Sequence, residues 1–500
     1  MLRLALCAVV AAALTGCGKS QFTAPSASAG ETLRVALDAT PATLDPALAQ
    51  DLATGDLMRQ VFEGLVRLGE DNLVQPCLAE SWTVSPDGKV YTFRLKAGVH
   101  FQDGSELKPE DVVWSFQRAV DPRLLSPVGK NYLGGVAKVE VVPPSSVRLT
   151  LAEPTPSILG KLTYPVCAVV KKGAVPNGVA ITKPEQMVGT GPYRVARYIP
   201  EQGAELERFE GYHGEKPTIR HLEMPVIKDP ATRMNKFRAG DLDVVGVPPE
   251  DVASMPESQL KHYPRPAVIY LGLNPSAYPP FASIAVRRAF AQALDKERLV
   301  ADALGSSGMV ANGILPPGVP GYREGLNPLP FDIGVHLDSA NLPPLELVLG
   351  GQSNDRRKVA DAVATRLRQA LGVEVSVRQM EMGAYLQKAN RKELAFFLGS
   401  WYADYLDPEN FLSVTLAEYG QNRVAYKNPA FTQLCAAADH ELDPKKRITL
   451  YQAAEDLALT DVAWIPLYYP VDVLAVGPRV ERIPRNLMGF LPFASARLKK

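Results

Sequence analysis

A strand–helix–strand unit between residues 345 and 378 constrains the fold of this chain more than any other stretch. Leu345–Leu349 is a short apolar run of the kind that forms a buried strand. Asn354–Leu371 has apolar residues at helical spacing, and Gly372 stands where such a helix ends. Val373–Arg378 predicts the next strand. Strands joined through a helix lie parallel in one sheet, so we expect an α/β fold.

The chain is too long for a single hydrophobic core. It has 500 residues, which predicts two or three domains. Lys plus Arg and Asp plus Glu are 54 each, so no basic excess points to nucleic acid. Pro248 and Pro249 interrupt the chain, and the apolar strand Val268–Leu273 follows, so we expect a crossing between domains near residue 268. Ser306–Pro344, rich in Gly and Pro, predicts a long surface excursion.

The N-terminus has the layout of a signal peptide. Arg3 precedes the apolar run Leu4–Leu14, which is too short to span a bilayer. The four residues that end in Cys17 resemble a bacterial lipobox, which predicts cleavage after residue 16 and lipidation of Cys17. The alternative is an ordinary secretory signal in which Cys17 is incidental. Residues 17–30 then read as a tether that holds an extracytoplasmic protein at a membrane, on the periplasmic side of the cell envelope.

The reactive residue types do not form any known catalytic or metal-binding pattern. The cysteines after Cys17 are Cys77, Cys167 and Cys435, which allow one disulfide whose pair stays open. The six histidines are scattered without metal-type spacing. No GxSxG, P-loop or HExxH motif occurs. We therefore expect no metal, no cofactor and no enzymatic activity.

A Trp and an Asp arrive together at the end of a predicted strand. The apolar run Leu394–Leu398 is followed by Trp401 and Asp404. Strand ends are where α/β folds place ligand-binding groups, so we expect this stretch to form the floor of a cleft. Asp404 would take a positive charge of the ligand and Trp401 would cover it. The structural alternatives are an Asp that bonds nearby amides and a Trp that belongs to the core.

A series of short motifs in one uninterrupted order resembles the oligopeptide- and dipeptide-binding lipoproteins of ABC importers, solute-binding protein family 5. The resemblance runs from about residue 31 to about residue 475. The motifs that carry it are Leu78–Trp82, Asp87-Gly88, Tyr91–Leu95, Gly98–Phe101, Asp103-Gly104, Glu110–Ser115, Gly189–Tyr193, Phe237–Asp243, Val286–Asp295 and Trp401–Tyr405.

The resemblance implies a periplasmic-binding-protein-like fold with two α/β lobes, a hinge and an extra subdomain. The lobes would close on a ligand held between them, and the closed protein would dock on an ABC permease as a monomer. The implied division is a signal peptide at 1–16, a lipidated tether at 17–30, lobe I at 31–62 with 184–268 and 472–500, an extra subdomain at 63–183, and lobe II at 269–471.

The resemblance also implies a peptide ligand and a residue that binds the peptide's amino group. The family places its amine-binding Asp in the matching Ala-Asp-Tyr, which is Asp404 here. A peptide ammonium is costly to bury without a counter-charge. The backbone of Ser400–Tyr402 would pair with an extended peptide, with Ser400 and Tyr402 as contacts. Leu52, within Gln50–Ala53, is the candidate on the opposite wall, as a second strand partner.

A basic residue at a helix start is the candidate for the ligand's carboxylate. Arg356 lies in the first turn of the predicted helix, where a cation is disfavoured unless an anion binds nearby. It stands roughly where some oligopeptide binders have a His that faces the ligand carboxylate. The alternative is a solvated basic cluster with Arg357. Some family members carry an Arg three residues before the Trp, and this chain has Leu398.

Two tyrosines late in the chain complete the candidate site. Tyr468 and Tyr469 stand where the chain should return towards the first lobe, and Tyr469 is the predicted contact. Core positions are the alternative for both. For the function as a whole, the alternatives to peptide capture are another solute, such as a metal chelate, haem or a glycan, and a surface hydrolase.

Overall fold

A computed structural model describes residues 30–338 and 342–499. The predicted signal peptide, Cys17 and nearly all of the tether lie outside these residues. The strands of the described part are β1 (Thr32–Arg34), β2 (Val66–Leu68), β3 (Val74–Pro76), β4 (Ala79–Val84), β5 (Val90–Leu95), β6 (Val136–Val142), β7 (Ser146–Leu151), β8 (Tyr193–Ile199), β9 (Gly203–Arg208), β10 (His221–Pro225), β11 (Val244–Gly246), β12 (Leu260–Pro264), β13 (Ala267–Leu273), β14 (Gly308–Val310), β15 (Leu345–Gly350), β16 (Val375–Met380), β17 (Phe396–Tyr402), β18 (Trp464–Val476), β19 (Val480–Arg482) and β20 (Arg497–Leu498).

The α-helices connect and cover these strands. They are α1 (Leu52–Val61), α2 (Pro109–Ala119), α3 (Gly129–Leu133), α4 (Ile158–Lys161), α5 (Pro230–Arg238), α6 (Pro249–Val252), α7 (Ile284–Gln292), α8 (Lys296–Leu304), α9 (Asn354–Leu371), α10 (Met382–Asn390), α11 (Pro408–Phe411), α12 (Ser413–Leu416), α13 (Pro429–His440) and α14 (Pro444–Thr460).

The largest sheet contains the predicted strand–helix–strand unit. Its strands run in the order β11-β18-β13-β17-β15-β16, with β12 and β14 also paired to β18. β15 and β16 lie parallel, with Leu345 opposite Val375, and α9 connects them. The α/β prediction is therefore confirmed. The sheet is mixed rather than parallel, because β13 runs antiparallel to both β17 and β18.

A four-stranded sheet in the order β1-β10-β9-β8 forms a second body together with α1 and the C-terminal tail. Leu33 and Leu222 from the sheet share one buried cluster with Leu57 of α1. Val480 and Phe493 of the tail belong to the same cluster. Residues far apart in sequence thus bury their apolar side chains in one core. The cluster also includes Trp114 and Val170 from the range predicted for the extra subdomain.

A third sheet is antiparallel, in the order β4-β5-β7-β6. Its inner face and α2 enclose a separate core in which Phe93 and Leu149 pack with Val112 and Phe116. Alternation of apolar and polar residues along β5 and β7 buries one face of these strands. This sheet lies within the range predicted for the extra subdomain. The domain boundaries themselves remain a prediction.

Two stretches of chain connect the two ends of the large sheet, from β13 and β17 to β11 and β12. The long strand β18 pairs with β13 through its first half, where Tyr468 lies opposite Ile269. Its second half pairs with β12 and β11. The neighbouring stretch breaks between β12 and β13, where the Arg265 amide donates to the Pro470 carbonyl at 2.8 Å. An isolated bridge from Val35 to Val244 continues towards the sheet of β1. The crossing between domains that was expected near residue 268 stays a prediction.

The predicted surface excursion at residues 306–344 is wrong for its first part, residues 311–319. Ile314 and Leu315 are buried in the core, and their amides donate to the carboxylate of Glu455 at 2.8 and 2.9 Å. A buried carboxylate needs such donors, and the irregular segment supplies them.

The three cysteines of the described part are buried and unpaired, so no disulfide joins Cys77, Cys167 and Cys435. The helices between residues 30 and 499, as far as they are described, are all too short or too polar to cross a bilayer.

Candidate ligand-binding site

A cleft of about 700 Å³ lies between α1 and the end of β17. Leu52 lines it on the α1 side, and Tyr402 and Asp404 line it on the β17 side. Residues 470–474 of the crossing strand β18 contribute a further wall. Carboxylates and guanidinium groups both face the cleft, so the cleft offers partners to a ligand that carries charges of both signs.

Asp404 is held at the end of β17 by a buried asparagine. The Asn410 side-chain amide donates to Asp404 Oδ2 at 3.3 Å, and its Oδ1 accepts from the Asp404 main-chain amide at 3.1 Å. The same Oδ1 accepts from the Trp401 indole at 3.0 Å. Asn410 is almost fully buried. One polar side chain therefore fixes both residues that the sequence singled out.

The carboxylate of Asp404 keeps contact with the solvent of the cleft while protein surrounds it on its other sides. This partial removal from water raises the pKa of Asp404, and hydrogen bonds from Asn410 and Tyr132 oppose the shift. Because the solvent-facing side remains hydrated, we expect the full cost of burial only when a ligand displaces that water. No cation pairs with Asp404 in the described part of the chain.

The strand β17 has an open edge beside Asp404. On one side β13 pairs along its whole length, with Tyr402 opposite Ala267. On the other side the described pairing with β15 ends at Leu398, opposite Leu349. Residues 399–402 therefore have no described strand partner on that side, and of these four only Tyr402 is among the residues that line the cleft. An extended ligand can add to such an edge.

Arg356 lies at the point where this pairing ends. Its guanidinium donates to the Leu398 carbonyl at 2.7 Å and to Ser400 Oγ at 3.4 Å, and it lines the cleft. Its Nε has no hydrogen-bond partner. Leu398 itself points into the core and is fully buried. Arg357 points away, where it pairs with Asp361 at 2.9 Å.

Leu52 differs from the extended strand partner that was predicted. It is the first residue of α1, and the preceding Asp51 caps the helix by accepting from the Thr54 amide at 2.8 Å. A helical backbone cannot add to a strand edge. The side chain of Leu52 is nevertheless 49% exposed and lines the cleft.

Trp401 and Tyr469 lie outside the lining of the cleft. Trp401 is half-buried against a hydrophobic cluster, and the guanidinium carbon of Arg423 is 5.9 Å from its ring. Tyr469 is buried, and its hydroxyl donates to the carbonyls of Gly313 and Leu315. Its neighbour Tyr468 does line the cleft, because successive side chains of a strand point to opposite faces. The ligand contacts of Trp401 and Tyr469 stay predictions.

Several cleft residues had no signal in the sequence. Arg59 of α1, Tyr164 and the hinge pair Arg265–Asp472 line the cleft, the pair being joined at 3.0 Å. Asn410 was missed as well. Each owes its place to packing between distant segments, which no local pattern reveals. Throughout residues 30–338 and 342–499, no group of three or more His, Cys, Asp or Glu is arranged to hold a metal ion.

The comparison with known families gives a match across most of the chain. Bacterial extracellular solute-binding proteins, family 5 (middle), match residues 74–423. A di/tripeptide-binding protein 2 of Pseudomonas aeruginosa is 29% identical, over 94% of this chain and 95% of its own. A heme-binding protein A of Haemophilus influenzae is 27% identical, over 87% of this chain and 86% of its own.

Solved structures agree with this match. An ABC transporter-associated periplasmic binding protein from Helicobacter pylori, solved in complex with the peptide STSA, has a TM-score of 0.76 to this structure. It is 25% identical, and the likeness covers 94% of this chain and 98% of that one. The periplasmic-binding-protein-like fold is thereby confirmed. Proteins of this family bind solutes outside the cytoplasm for ABC transporters and are not enzymes, so the hydrolase alternative falls away. The chain belongs to family 5 of the bacterial extracellular solute-binding proteins.

Proposed function

We propose that this protein captures peptides with a free α-amino group in the cleft, with Asp404 as the counter-charge of that amine. The observation that carries the proposal is the unpaired carboxylate of Asp404 beside the open edge of β17. An α-ammonium is a compact cation with three donors, and enclosing it without a counter-charge is costly. An ion pair formed as the cleft excludes water gains most from the lower dielectric.

The main chain of residues 399–402 supplies the second part of the site. A peptide that adds to this edge gains hydrogen bonds that do not depend on its side chains, so selectivity for sequence stays loose. Tyr402 flanks the peptide on this strand, and Leu52 contributes an apolar contact from α1. Ser400, whose Oγ accepts from Arg356 at 3.4 Å, lies outside the lining of the cleft, and its contact with a ligand stays a prediction. Arg356 orients the strand end and adds positive charge to the cleft.

The relatives support a peptide and keep one alternative open. The Pseudomonas protein is named for di- and tripeptides, and the Helicobacter protein holds a peptide. The Haemophilus relative is named for heme, so another solute in the same cleft is the alternative. Native mass spectrometry of the purified protein separates the two, since a co-purified peptide and a co-purified haem differ in mass and absorbance.

The amine role is tested by titrating trialanine and N-acetyl-trialanine into the wild-type protein and into Asp404→Asn. We expect acetylation to weaken binding to the wild type by about 2 kcal/mol or more, the cost of breaking a buried charge pair. Asp404→Asn should bind both peptides with the weaker affinity. Asp302→Asn, which removes an exposed carboxylate on α8, is the matched charge control. Equal binding of the two peptides by the wild type would refute the amine role.

The proposal includes lipid anchoring and delivery to an ABC import permease. The support is the lipobox-like sequence that ends in Cys17, together with the family's role in ABC transport. Cys17→Ser should move the protein from the membrane fraction to the soluble extracytoplasmic fraction. Ligand-loaded protein should stimulate ATP hydrolysis by its reconstituted permease more than Asp404→Asn does. Membrane retention of Cys17→Ser would contradict the anchor.

A further inference from the structure

Arg59 differs from the other two arginines that line the cleft. Arg265 is paired with Asp472 at 3.0 Å, and Arg356 donates to the Leu398 carbonyl at 2.7 Å. Within the described residues, the Arg59 guanidinium has neither an ion pair nor a hydrogen-bond acceptor. It is therefore the cleft arginine whose donors are all available to a ligand.

Two neighbours border the Arg59 guanidinium. Its carbon is 3.1 Å from the centroid of the Phe490 ring, a cation–π contact. A Cβ atom at Gly55 would stand 2.5 Å from Arg59 Nη1, so the glycine leaves the space that the guanidinium occupies. Helical side chains lean towards the N-terminus, which carries this group one turn back along α1. The carbonyl groups at the C-terminal end of α1 therefore do not serve as the counter-charge of the Arg59 guanidinium.

The nearest carboxyl does not neutralise Arg59. Asp56 lies one turn before it on α1, but the two form no ion pair within the salt-bridge distance. Burial raises the pKa of Asp56 to about 6 against the opposing charge of Arg59. Burial likewise lowers the pKa of Arg59 to about 10, so the guanidinium is still charged at neutral pH. A partly desolvated cation without a partner gains from an incoming anion.

Arg59 and Asp404 face the cleft from different bodies of the protein. Arg59 is on α1, which packs on the sheet of β1, whereas Asp404 follows β17 of the large sheet. We propose that Arg59 binds a carboxylate of the captured peptide, so that a ligand with a free amine and a free carboxylate bridges the two bodies. This assignment rests on the peptide-binding function proposed above. The carboxylate belongs to the C-terminus or to an acidic side chain.

The test compares three peptides, which are trialanine, trialanine amide and Ala-Ala-Glu amide, by calorimetric titration. We expect the wild type to bind trialanine at least tenfold more tightly than its amide. Arg59→Gln should bind both with the affinity of the amide, and Arg59→Lys should retain part of the preference because it keeps the charge but not the planar fork. Tight binding of Ala-Ala-Glu amide that is lost in Arg59→Gln would assign the side-chain carboxylate to Arg59.

Two controls separate this assignment from its alternatives. Arg298→Gln removes an exposed cation on α8 and should leave the preference unchanged. The penalty for N-acetylation should persist in Arg59→Gln, since the amine is held by Asp404. Urea unfolding checks that Arg59→Gln is folded, and Arg59→Lys gives a second reading if it is not.

The assignment is overturned if Arg59→Gln keeps the tenfold preference for trialanine over its amide. The contradiction is most direct if Arg356→Gln abolishes that preference, because the carboxylate would then be bound by Arg356. Equal binding of trialanine and trialanine amide by the wild type also overturns the assignment of Arg59. In that case a loss of affinity on N-acetylation would still support peptide capture through Asp404. A wild type that binds no peptide refutes peptide capture itself and this assignment with it.

Discussion

The guanidinium of Arg356 donates a 2.7 Å hydrogen bond to the main-chain carbonyl of Leu398, where β17 leaves its pairing with β15. This contact joins the first turn of α9 to the strand that leads to Asp404. Leu398 itself is fully buried and keeps the core apolar at this point. The positive charge at the strand end comes from the neighbouring helix α9, and it contacts the strand through a main-chain carbonyl.

Removing this contact should destabilise the protein. In Arg356→Gln the shorter side chain no longer reaches the Leu398 carbonyl, which loses the guanidinium donor. The Tyr385 hydroxyl, at 3.2 Å, remains as a side-chain donor to this carbonyl. A hydrogen bond from a charged group contributes about 1.5–3 kcal/mol, so we expect a loss of that order in the free energy of unfolding. Urea denaturation measures it. Arg357→Gln, which removes an exposed i,i+4 pair, should cost less than about 0.5 kcal/mol. Similar losses for both variants would contradict the structural role of Arg356.

Asn410 should matter to ligand binding although it does not line the cleft. Asn410→Ala removes the donor to Asp404 and the acceptor of the Trp401 indole, so the carboxylate loses its fixed orientation. We expect about a tenfold loss of affinity for trialanine, the scale of a 1.4 kcal/mol change. If Asn410 acts by positioning Asp404, the double variant with Asp404→Asn should bind no more weakly than Asp404→Asn alone. Additive losses would refute that coupling.

Binding of trialanine should weaken as the pH falls. Enclosure raises the pKa of Asp404 in the free protein, and an ammonium beside it would lower that pKa in the complex. The contribution of the ion pair to affinity is then complete at a pH above the pKa of Asp404 in the free protein. This contribution declines as the pH falls through that pKa, so the decline begins above the ordinary value of 3.8. Titrations between pH 4 and 7 measure the decline, and the decline due to Asp404 should vanish in Asp404→Asn.

The same pKa shift gives a stability prediction for the free protein. A carboxyl whose pKa is higher in the folded state than in the unfolded state reduces stability once the pH exceeds the unfolded value. Asp404→Asn should therefore be at least as stable as the wild type at pH 7, by urea denaturation. Asp56 is still present in this variant, and burial raises its pKa to about 6. Any change of stability with pH that remains near pH 6 is therefore attributed to Asp56.

A buried ion pair between Asp45 and Arg118 should be essential for stability. Arg118 Nη1 donates to Asp45 Oδ1 at 3.0 Å, and both side chains are almost inaccessible. Arg118→Met leaves a buried carboxylate without its cation, which should cost about 3–5 kcal/mol. Lys89→Met, which breaks an exposed pair with Glu153, should cost less than about 1 kcal/mol. Urea denaturation compares the two.

Removing both members of this pair should restore only part of the stability. Asp45 also accepts from the amides of Ala47 at 3.0 Å and Ile181 at 2.8 Å. Asp45→Leu combined with Arg118→Met removes the unpaired charge but leaves these buried donors without an acceptor, at about 1–3 kcal/mol each. Full recovery in the double variant would show that the ion pair, rather than the amide contacts, is what Asp45 supplies.

The sequence was sufficient where short-range rules decide the structure. The helix predicted at Asn354–Leu371 is α9 with the same bounds, because a Ser cap precedes it and Gly372 adopts a positive φ of 63° at its end. The order of the motifs from Leu78–Trp82 to Trp401–Tyr405 was enough to name the family and, through it, the fold. The position of Asp404 just beyond a buried strand followed from the same local pattern.

Only the tertiary structure decided which side chains meet in the cleft. The contacts of Arg356 with Leu398 and of Arg59 with Phe490 join segments that are far apart in sequence. The burial of Ile314 in an irregular segment depends on the carboxylate of Glu455, a partner more than a hundred residues away. Periodicity and turn residues report the conformation of a few consecutive residues. They carry no information on which distant group will satisfy a buried charge or amide, because that choice is made when the elements pack.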